Sequence, residues 1–284
     1  MVFGGFQKLT LLDYPEKTAC TVFTTGCNFN CSFCQNSSLR KEDLKEQLPD
    51  EGRANNGSPV INGSKTINGS QAIKSSEILD FLKSRQGLID GVCISGGEPL
   101  MHDDLGDFIN DIKALGFLVK LDTNGSFPQR LEKLITAGML DHVAMDVKNT
   151  PEKYTETIGL PGYDISPVEE SMSILRSCTV PYEFRTTVVR EFHTGDDLLS
   201  IARWVSGQSI PGPDISGQII PGQEITELSV SGRCCYKNVK YYLQEFVDSE
   251  GVRQKGLHGY SVEEMQQFLV EIRKILPDAE LRGL

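Results

Sequence analysis

The sequence is short of several things at once. It has one tryptophan and four histidines in 284 residues, and 28 Lys and Arg against 39 Asp and Glu. The formal net charge of −11 argues against nonspecific binding to nucleic acid or to an anionic membrane, because phosphate contacts need clustered Lys and Arg. It leaves room for a small anionic ligand in a local basic pocket. No run approaches the roughly 18 apolar residues of a membrane-spanning helix. The opening MVFGGFQKLT has neither the basic nor the apolar stretch of a secretory leader, so a cytoplasmic chain with reduced thiols is expected. In such a chain eight cysteines need not form disulfides, and the length is ample for a sizeable core.

Three of the cysteines stand together in Thr25-Gly26-Cys27-Asn28-Phe29-Asn30-Cys31-Ser32-Phe33-Cys34-Gln35. Thiolates are the ligands that iron–sulfur clusters select. A cubane usually takes four of them. Three leave one iron open, and an open position is what separates a reactive site from a closed structural one. A zinc knuckle is the plain alternative, but zinc wants four ligands. The only extra donor nearby is Cys20, since the histidines lie far along the chain.

The spacing Cys27-x-x-x-Cys31-x-x-Cys34, with Phe33 before the last cysteine, resembles the signature of radical S-adenosylmethionine (SAM) enzymes. The resemblance implies a [4Fe–4S] cluster on Cys27, Cys31 and Cys34. The open iron would chelate SAM, and reductive cleavage would give methionine and a 5′-deoxyadenosyl radical. Gly91-Val92-Cys93-Ile94-Ser95 reads as a strand and ends in Gly96-Gly97-Glu98-Pro99. Alone this is a turn. After the cysteine motif it matches the family segment that receives the methionine amino group, with glycines for close approach and a carboxylate for the ammonium.

The rest of the chain alternates. Strands are expected near 18–24, 91–95, 117–121, 142–147, 182–189 and 239–246, from their β-branched and aromatic content. Helices are expected at Ser76–Arg85 (with Ser75 or Ser76 as cap), Leu105–Leu115, Pro128–Ala137, Ser166–Ser177, Asp196–Val205 and Ser261–Leu276. The last opens on a capping box of Ser261 and Glu264. Strands separated by helices imply parallel pairing, hence an α/β fold, a partial (β/α)6 barrel open on one side. One domain over 1–284 is expected. Two Gly-, Asn-, Ser- or Pro-rich stretches, 41–75 and 206–226, read as flexible insertions. Residues 1–17 read as a loop-like lead-in. Asn56, Asn62 and Asn68 each fit Asn-x-Ser, discounted here on compartment.

Within the superfamily the segment GGFQKLTLLDYPEKTACTVFTTGCNFNCSFCQN is similar to the glycyl-radical activating enzymes, and among them to the activating proteins of anaerobic ribonucleoside-triphosphate reductase. That resemblance implies a glycyl-radical enzyme as partner, flavodoxin or ferredoxin as reductant, and a hydrogen atom taken from a backbone glycine. By matching segment it carries SAM contacts onto Asp122, Thr123, Asp146 and Lys148, the two aspartates holding a monovalent cation beside the SAM carboxylate. Each aspartate could instead cap the turn that follows its strand. Arg185 could bind the SAM carboxylate bidentately or pair with a core carboxylate. Gln35 departs from the family, where His is common, and the position could act through its backbone; Asn36 is a further SAM contact. Cys178 and the pair Cys234-Cys235 show no second cluster spacing. Two other readings stay open: a radical SAM enzyme acting on a small molecule, and a non-enzymatic iron–sulfur protein.

Overall fold

The computed structural model describes residues 1–40, 66–67, 70–71, 73–208 and 239–283. Most of the expected insertions 41–75 and 206–226, together with the Asn56, Asn62 and Asn68 triplets and Cys234-Cys235, lies outside the described residues.

Apart from a separate pair, Thr66–Ile67 with Ser70–Gln71, the strands are β1 Val2–Thr10, β2 Ala19–Thr24, β3 Ile73–Lys74, β4 Gly91–Gly96, β5 Leu118–Thr123, β6 His142–Asp146, β7 Tyr182–Val188, β8 Lys240–Glu245 and β9 Glu280–Arg282. They form one sheet in the order β9-β8-β7-β6-β5-β4-β2-β1-β3. From β2 to β9 every pairing is parallel. The first and last strands do not meet, so the barrel is open. The expected six parallel strands are all present, at bounds within two residues of expectation.

The loop-like lead-in expected over residues 1–17 is instead, over residues 2–10, a nine-residue strand antiparallel to β2. Gly4 and Gly5 serve close packing in it: a Cβ on Gly4 would lie 2.4 Å from the Leu39 side chain, and one on Gly5 3.3 Å from Phe23. At the other end, Glu280–Arg282 adds a short strand to the sheet.

Helices α1 Ser75–Lys83, α2 Leu105–Ala114, α3 Pro128–Thr136, α4 Pro151–Thr157, α5 Ser166–Ser177, α6 Gly195–Ser206 and α7 Val262–Ile272 fill the connections. Most follow from pattern. In α2, Leu105, Phe108, Ile109 and Ile112 recur at helical spacing and are buried. In α7, Ser261 Oγ accepts from Glu264 N at 3.2 Å while Glu264 accepts from Ser261 N at 2.8 Å, the reciprocal cap expected. The first helix differs: Lys74 is its cap residue, and Glu77 accepts from Lys74 N at 3.3 Å. Helix α4 carries too short an apolar stripe to be seen in sequence.

Strand alternation gives the sheet two unlike faces. Val92, Ile94, Val119, Leu121, Val143, Met145, Phe184 and Leu243 are fully buried, which is the apolar face the helices cover. The intervening row is polar: Cys93 and Ser95 on β4, Lys120 and Asp122 on β5, His142 and Asp146 on β6, Glu183, Arg185 and Thr187 on β7, Tyr242 and Gln244 on β8. Register aligns this row across the sheet, Asp146 with Arg185, Arg185 with Tyr242, Thr187 with Gln244. The polar row is the floor of the site.

Candidate functional site

At the C-terminal ends of the parallel strands lies a cavity of about 200 Å³, where open α/β sheets place their ligands. Cys27, Cys31 and Cys34 line one wall. Their loop is fixed from several sides. Asn30 N donates to Ile158 O at 2.8 Å and Gln254 N to Ser32 O at 2.9 Å. Phe29 meets Tyr163 edge-on with centroids 5.3 Å apart, and Phe33 packs on Phe192 at 5.6 Å. Phe33 is therefore an anchor of the loop as well as a lining residue. Gln35 Nε2 reaches Val247 O at 3.5 Å, and Asn36 Nδ2 donates to Gly96 O at 3.2 Å.

Burial pushes the Cys27 thiol up to about 11, against the pull of the Phe29 N–H. It pushes Cys31 up to about 12, against the positive charge of Lys148. Thiols in such surroundings ionise when a metal takes the proton's place. None of the three is in a disulfide. Among the described residues no three His, Cys, Asp or Glu side chains converge on a point that would hold a single metal ion. Three thiols on one wall are the donor set an iron–sulfur cluster takes, each thiolate binding a different iron.

The second wall is the end of β4. Gly97 N donates to Thr24 O at 3.0 Å and Glu98 N to Gly26 O at 2.8 Å. A Cβ on Gly97 would lie 1.9 Å from Gly26 O, and Gly96 sits at φ +111° with its Cβ position 2.4 Å from Thr24 N. Close approach is thus required here, but by the backbone of the cysteine loop. Glu98 does not line the cavity. It is fully buried beneath it, accepting from Thr123 Oγ1 at 2.8 Å, Asn124 N at 2.7 Å and Leu100 N at 3.1 Å. Burial raises its pKa to about 7 although those three donors favour the anion. The carboxylate ties the end of β4 to the end of β5 rather than facing a ligand.

The floor is a chain of alternating charges. Lys120 Nζ pairs with Asp122 Oδ1. Asp122 Oδ2 accepts from Ser95 Oγ at 3.1 Å and from Arg185 Nη1 at 3.4 Å. Arg185 Nε donates to Asp146 Oδ1 at 2.9 Å, and Lys148 Nζ to Asp146 Oδ2 at 3.0 Å. Burial would raise both aspartate pKa values, but the charge of Arg185 outweighs it with Lys120 at Asp122 and with Lys148 at Asp146, holding both below the usual range. Burial would likewise strip the proton from Lys148 and Arg185, and the aspartates reverse that.

Thus Cys27, Cys31, Cys34, Phe33, Gln35, Asn36, Gly96, Gly97, Asp122, Thr123, Asp146, Lys148 and Arg185 share one cavity, with Glu98 beneath. Sequence reasoning missed Arg40, Ser95, Asn124, Thr187 and Gln244 in the lining and Lys120 under it. Lys120 and Gln244 were signalled by alternation along their strands; Asn124 sits inside a segment already singled out.

A model of the radical SAM superfamily matches residues 21–205. The chain belongs to the radical SAM superfamily. Membership implies a [4Fe–4S] cluster and SAM, and the cysteine wall and the charged floor fit such a pair. A Methanocaldococcus jannaschii protein provisionally named a glycyl-radical enzyme activating enzyme is 30% identical over 71% of this chain and 74% of its own length. A Thermococcus kodakarensis protein named a probable GTP 3′,8-cyclase is 26% identical over 61% of this chain and 48% of its own. Among solved structures, Streptococcus suis SuiB superposes with a TM-score of 0.57 at 10% identity, covering 93% of this chain and 48% of that one. Spore photoproduct lyase gives 0.52 at 11% identity, covering 91% and 74%. The chain spans about half the length of SuiB, and both likenesses concern the fold alone. Among the described residues no helix is long and apolar enough to cross a membrane.

Proposed function

We propose that this radical SAM enzyme is a glycyl-radical activase whose partner is anaerobic ribonucleoside-triphosphate reductase, with flavodoxin or ferredoxin as reductant. The observation that carries the reading is the facing of the three-cysteine wall by the Gly96-Gly97 ribbon and the Asp122–Arg185–Asp146–Lys148 floor in one cavity, taken with the 30% identity to the provisionally named activase over 71% of the chain.

Cys27, Cys31 and Cys34 would hold the [4Fe–4S] cluster. When bound, cluster and SAM supply one-electron cleavage of the C5′–S bond and, through the 5′-deoxyadenosyl radical, removal of one hydrogen atom from a glycine Cα, leaving methionine, 5′-deoxyadenosine and a glycyl radical. The chain's residues bind, orient and shield. The backbone of Gly96 and Gly97 would receive the methionine end. Lys148 and Arg185, each held charged by an aspartate, would take its carboxylate. Burial of Cys31 limits the access of water to that side of the cysteine wall. Thr187 and Gln244, uncharged and polar, line the side toward β8 and suit hydrogen bonds to a partner's peptide backbone.

The test is anaerobic reconstitution, dithionite reduction and measurement of 5′-deoxyadenosine, with Cys31→Ala alongside. The expected result is product in the wild type and none in the variant. With the glycyl-radical subunit of anaerobic ribonucleoside-triphosphate reductase added, an EPR signal split by one remaining Cα hydrogen is expected. SAM cleavage that responds to small metabolites and never to that subunit would move the reading to a small-molecule enzyme. A cluster that forms and leaves SAM intact would move it to an iron–sulfur carrier.

A further inference from the structure

The resemblance in the sequence calls for a monovalent metal cation between Asp122 and Asp146. The donors around these two carboxylates do not suit one. Hard cations are held by oxygen ligands, and all four carboxylate oxygens already accept from the chain itself. Asp122 Oδ1 takes Lys120 Nζ, and Asp122 Oδ2 takes Ser95 Oγ at 3.1 Å and Arg185 Nη1 at 3.4 Å. Asp146 Oδ1 takes Arg185 Nε at 2.9 Å and Asp146 Oδ2 takes Lys148 Nζ at 3.0 Å. Each carboxylate is thus held by two fixed cations, Asp122 by Lys120 and Arg185 and Asp146 by Arg185 and Lys148. A mobile cation would have to displace these fixed donors to reach the same oxygens, and close fixed charges act strongly in a cavity with little water.

We infer that the guanidinium of Arg185 is the built-in cation of this site, bridging Asp122 and Asp146 in place of an exchangeable sodium or potassium ion. Backbone register fixes it there, because Arg185 is the direct cross-strand partner of Asp146 in the β6–β7 pairing. The side chain is 11% exposed, so it is largely enclosed and still reaches the cavity it lines. A guanidinium is weakly hydrated, permanently charged and forked, so one residue can hold two carboxylates and present its remaining N–H groups to an anion. The consequence is an anion site whose occupancy does not depend on the salt's cation. This assignment rests on SAM being the anionic ligand, as proposed above.

Two independent measurements test it. In the first, SAM binding to the reconstituted holoenzyme is compared in tetramethylammonium, sodium and potassium chloride at matched ionic strength. The expected wild-type affinity is the same within about twofold in all three; a rise of fivefold or more with sodium or potassium would overturn the assignment. The second uses the apo chain without SAM. Its melting temperature should be the same in the three salts, and it should not broaden the ²³Na resonance. Cation-specific stabilisation or broadening would overturn the assignment even if SAM proved not to be the ligand. Arg185→Met supplies the converse. With the bridge gone, the folded variant should bind SAM more weakly in tetramethylammonium and regain affinity in sodium or potassium. A folded variant indifferent to the cation would refute the inference, and the two wild-type measurements decide it if the variant does not fold.

Discussion

The polar row inside the barrel has two ends that differ more than their sequences suggest. At the upper end, Asp122, Arg185, Asp146 and Lys148 keep between 11% and 30% of their side-chain surface exposed and line a cavity. At the lower end, Glu183 and Lys120 have none. There Arg282 closes on Glu183 with two bonds of 2.6 and 3.1 Å while its guanidinium lies 3.8 Å over the Tyr242 ring. Both ends arise from the same alternation of strand residues. What separates them is the surroundings of the carboxylate: Glu183 is sealed from water although Arg282 keeps 27% of its side-chain surface exposed, so breaking that pair costs stability, whereas carboxylates that open on a cavity leave their cations with spare donors for a ligand.

The comparison is broken most severely by removing Arg282. Burial favours the neutral form of Glu183, and the Arg282 hydrogen bonds together with the Lys120 charge hold it ionised. Arg282→Met takes both hydrogen bonds from that carboxylate and leaves it the Lys120 and Arg185 charges, and is expected to cost about 3 kcal/mol in urea unfolding. The double variant with Glu183→Gln should recover most of the loss. If Arg282→Met alone is neutral, the lower end is not sealed.

His142 sharpens the same point through pH. It is at the lower end, its Nδ1 without a hydrogen-bond partner among the described residues, and burial depresses its pKa to about 4. The unfolded chain therefore binds this proton first. The group's stabilising effect is complete above about pH 6.5 and is lost as pH falls toward 4, by about 3 kcal/mol in total. Unfolding measured across that window should fall less steeply in His142→Phe than in the wild type. Equal slopes would mean that water reaches the ring.

The glycine wall at the upper end depends on shape rather than charge. Gly97→Ala puts a Cβ 1.9 Å from Gly26 O, backbone against backbone, where neither side can yield. Overpacking of this kind costs about 1–3 kcal/mol. It should also displace the cysteine loop, so iron per chain after reconstitution should fall with stability. Normal iron content would show that the two loops are independent.

How much of this could be read from the sequence depends on distance along the chain. The cysteine motif, Gly96-Gly97-Glu98 and Asp122-Thr123 are local patterns and were legible, as were the six parallel strands. Glu98 was read as facing a ligand, because sequence gives the carboxylate but not its direction; Thr123, Asn124 N and Leu100 N turn it inward. Strand β1 was hidden by Gly4-Gly5, whose reason is the Leu39 and Phe23 side chains. The bridge from Asp122 through Arg185 to Asp146 joins residues 63 and 39 positions apart. It exists only once the β6–β7 register is set, so Arg185 stood in the sequence between two roles.

The smallest expected effect on stability, and the cleanest on function, comes from Lys148→Met. Lys148 pairs with Asp146, but Asp146 keeps Arg185 as a second partner at 2.9 Å and retains 30% exposure. Losing one of two cations at a partly solvated carboxylate should cost about 1 kcal/mol or less, and unfolding should barely move. The cavity, by contrast, loses one of the three cationic side chains that line it, Arg40, Lys148 and Arg185. SAM affinity of the reconstituted protein should fall about tenfold at unchanged iron content. If Lys148→Met instead unfolds the chain with SAM affinity intact in what remains folded, Lys148 belongs with Arg282 at the sealed end, and depth in the barrel is not what divides the row.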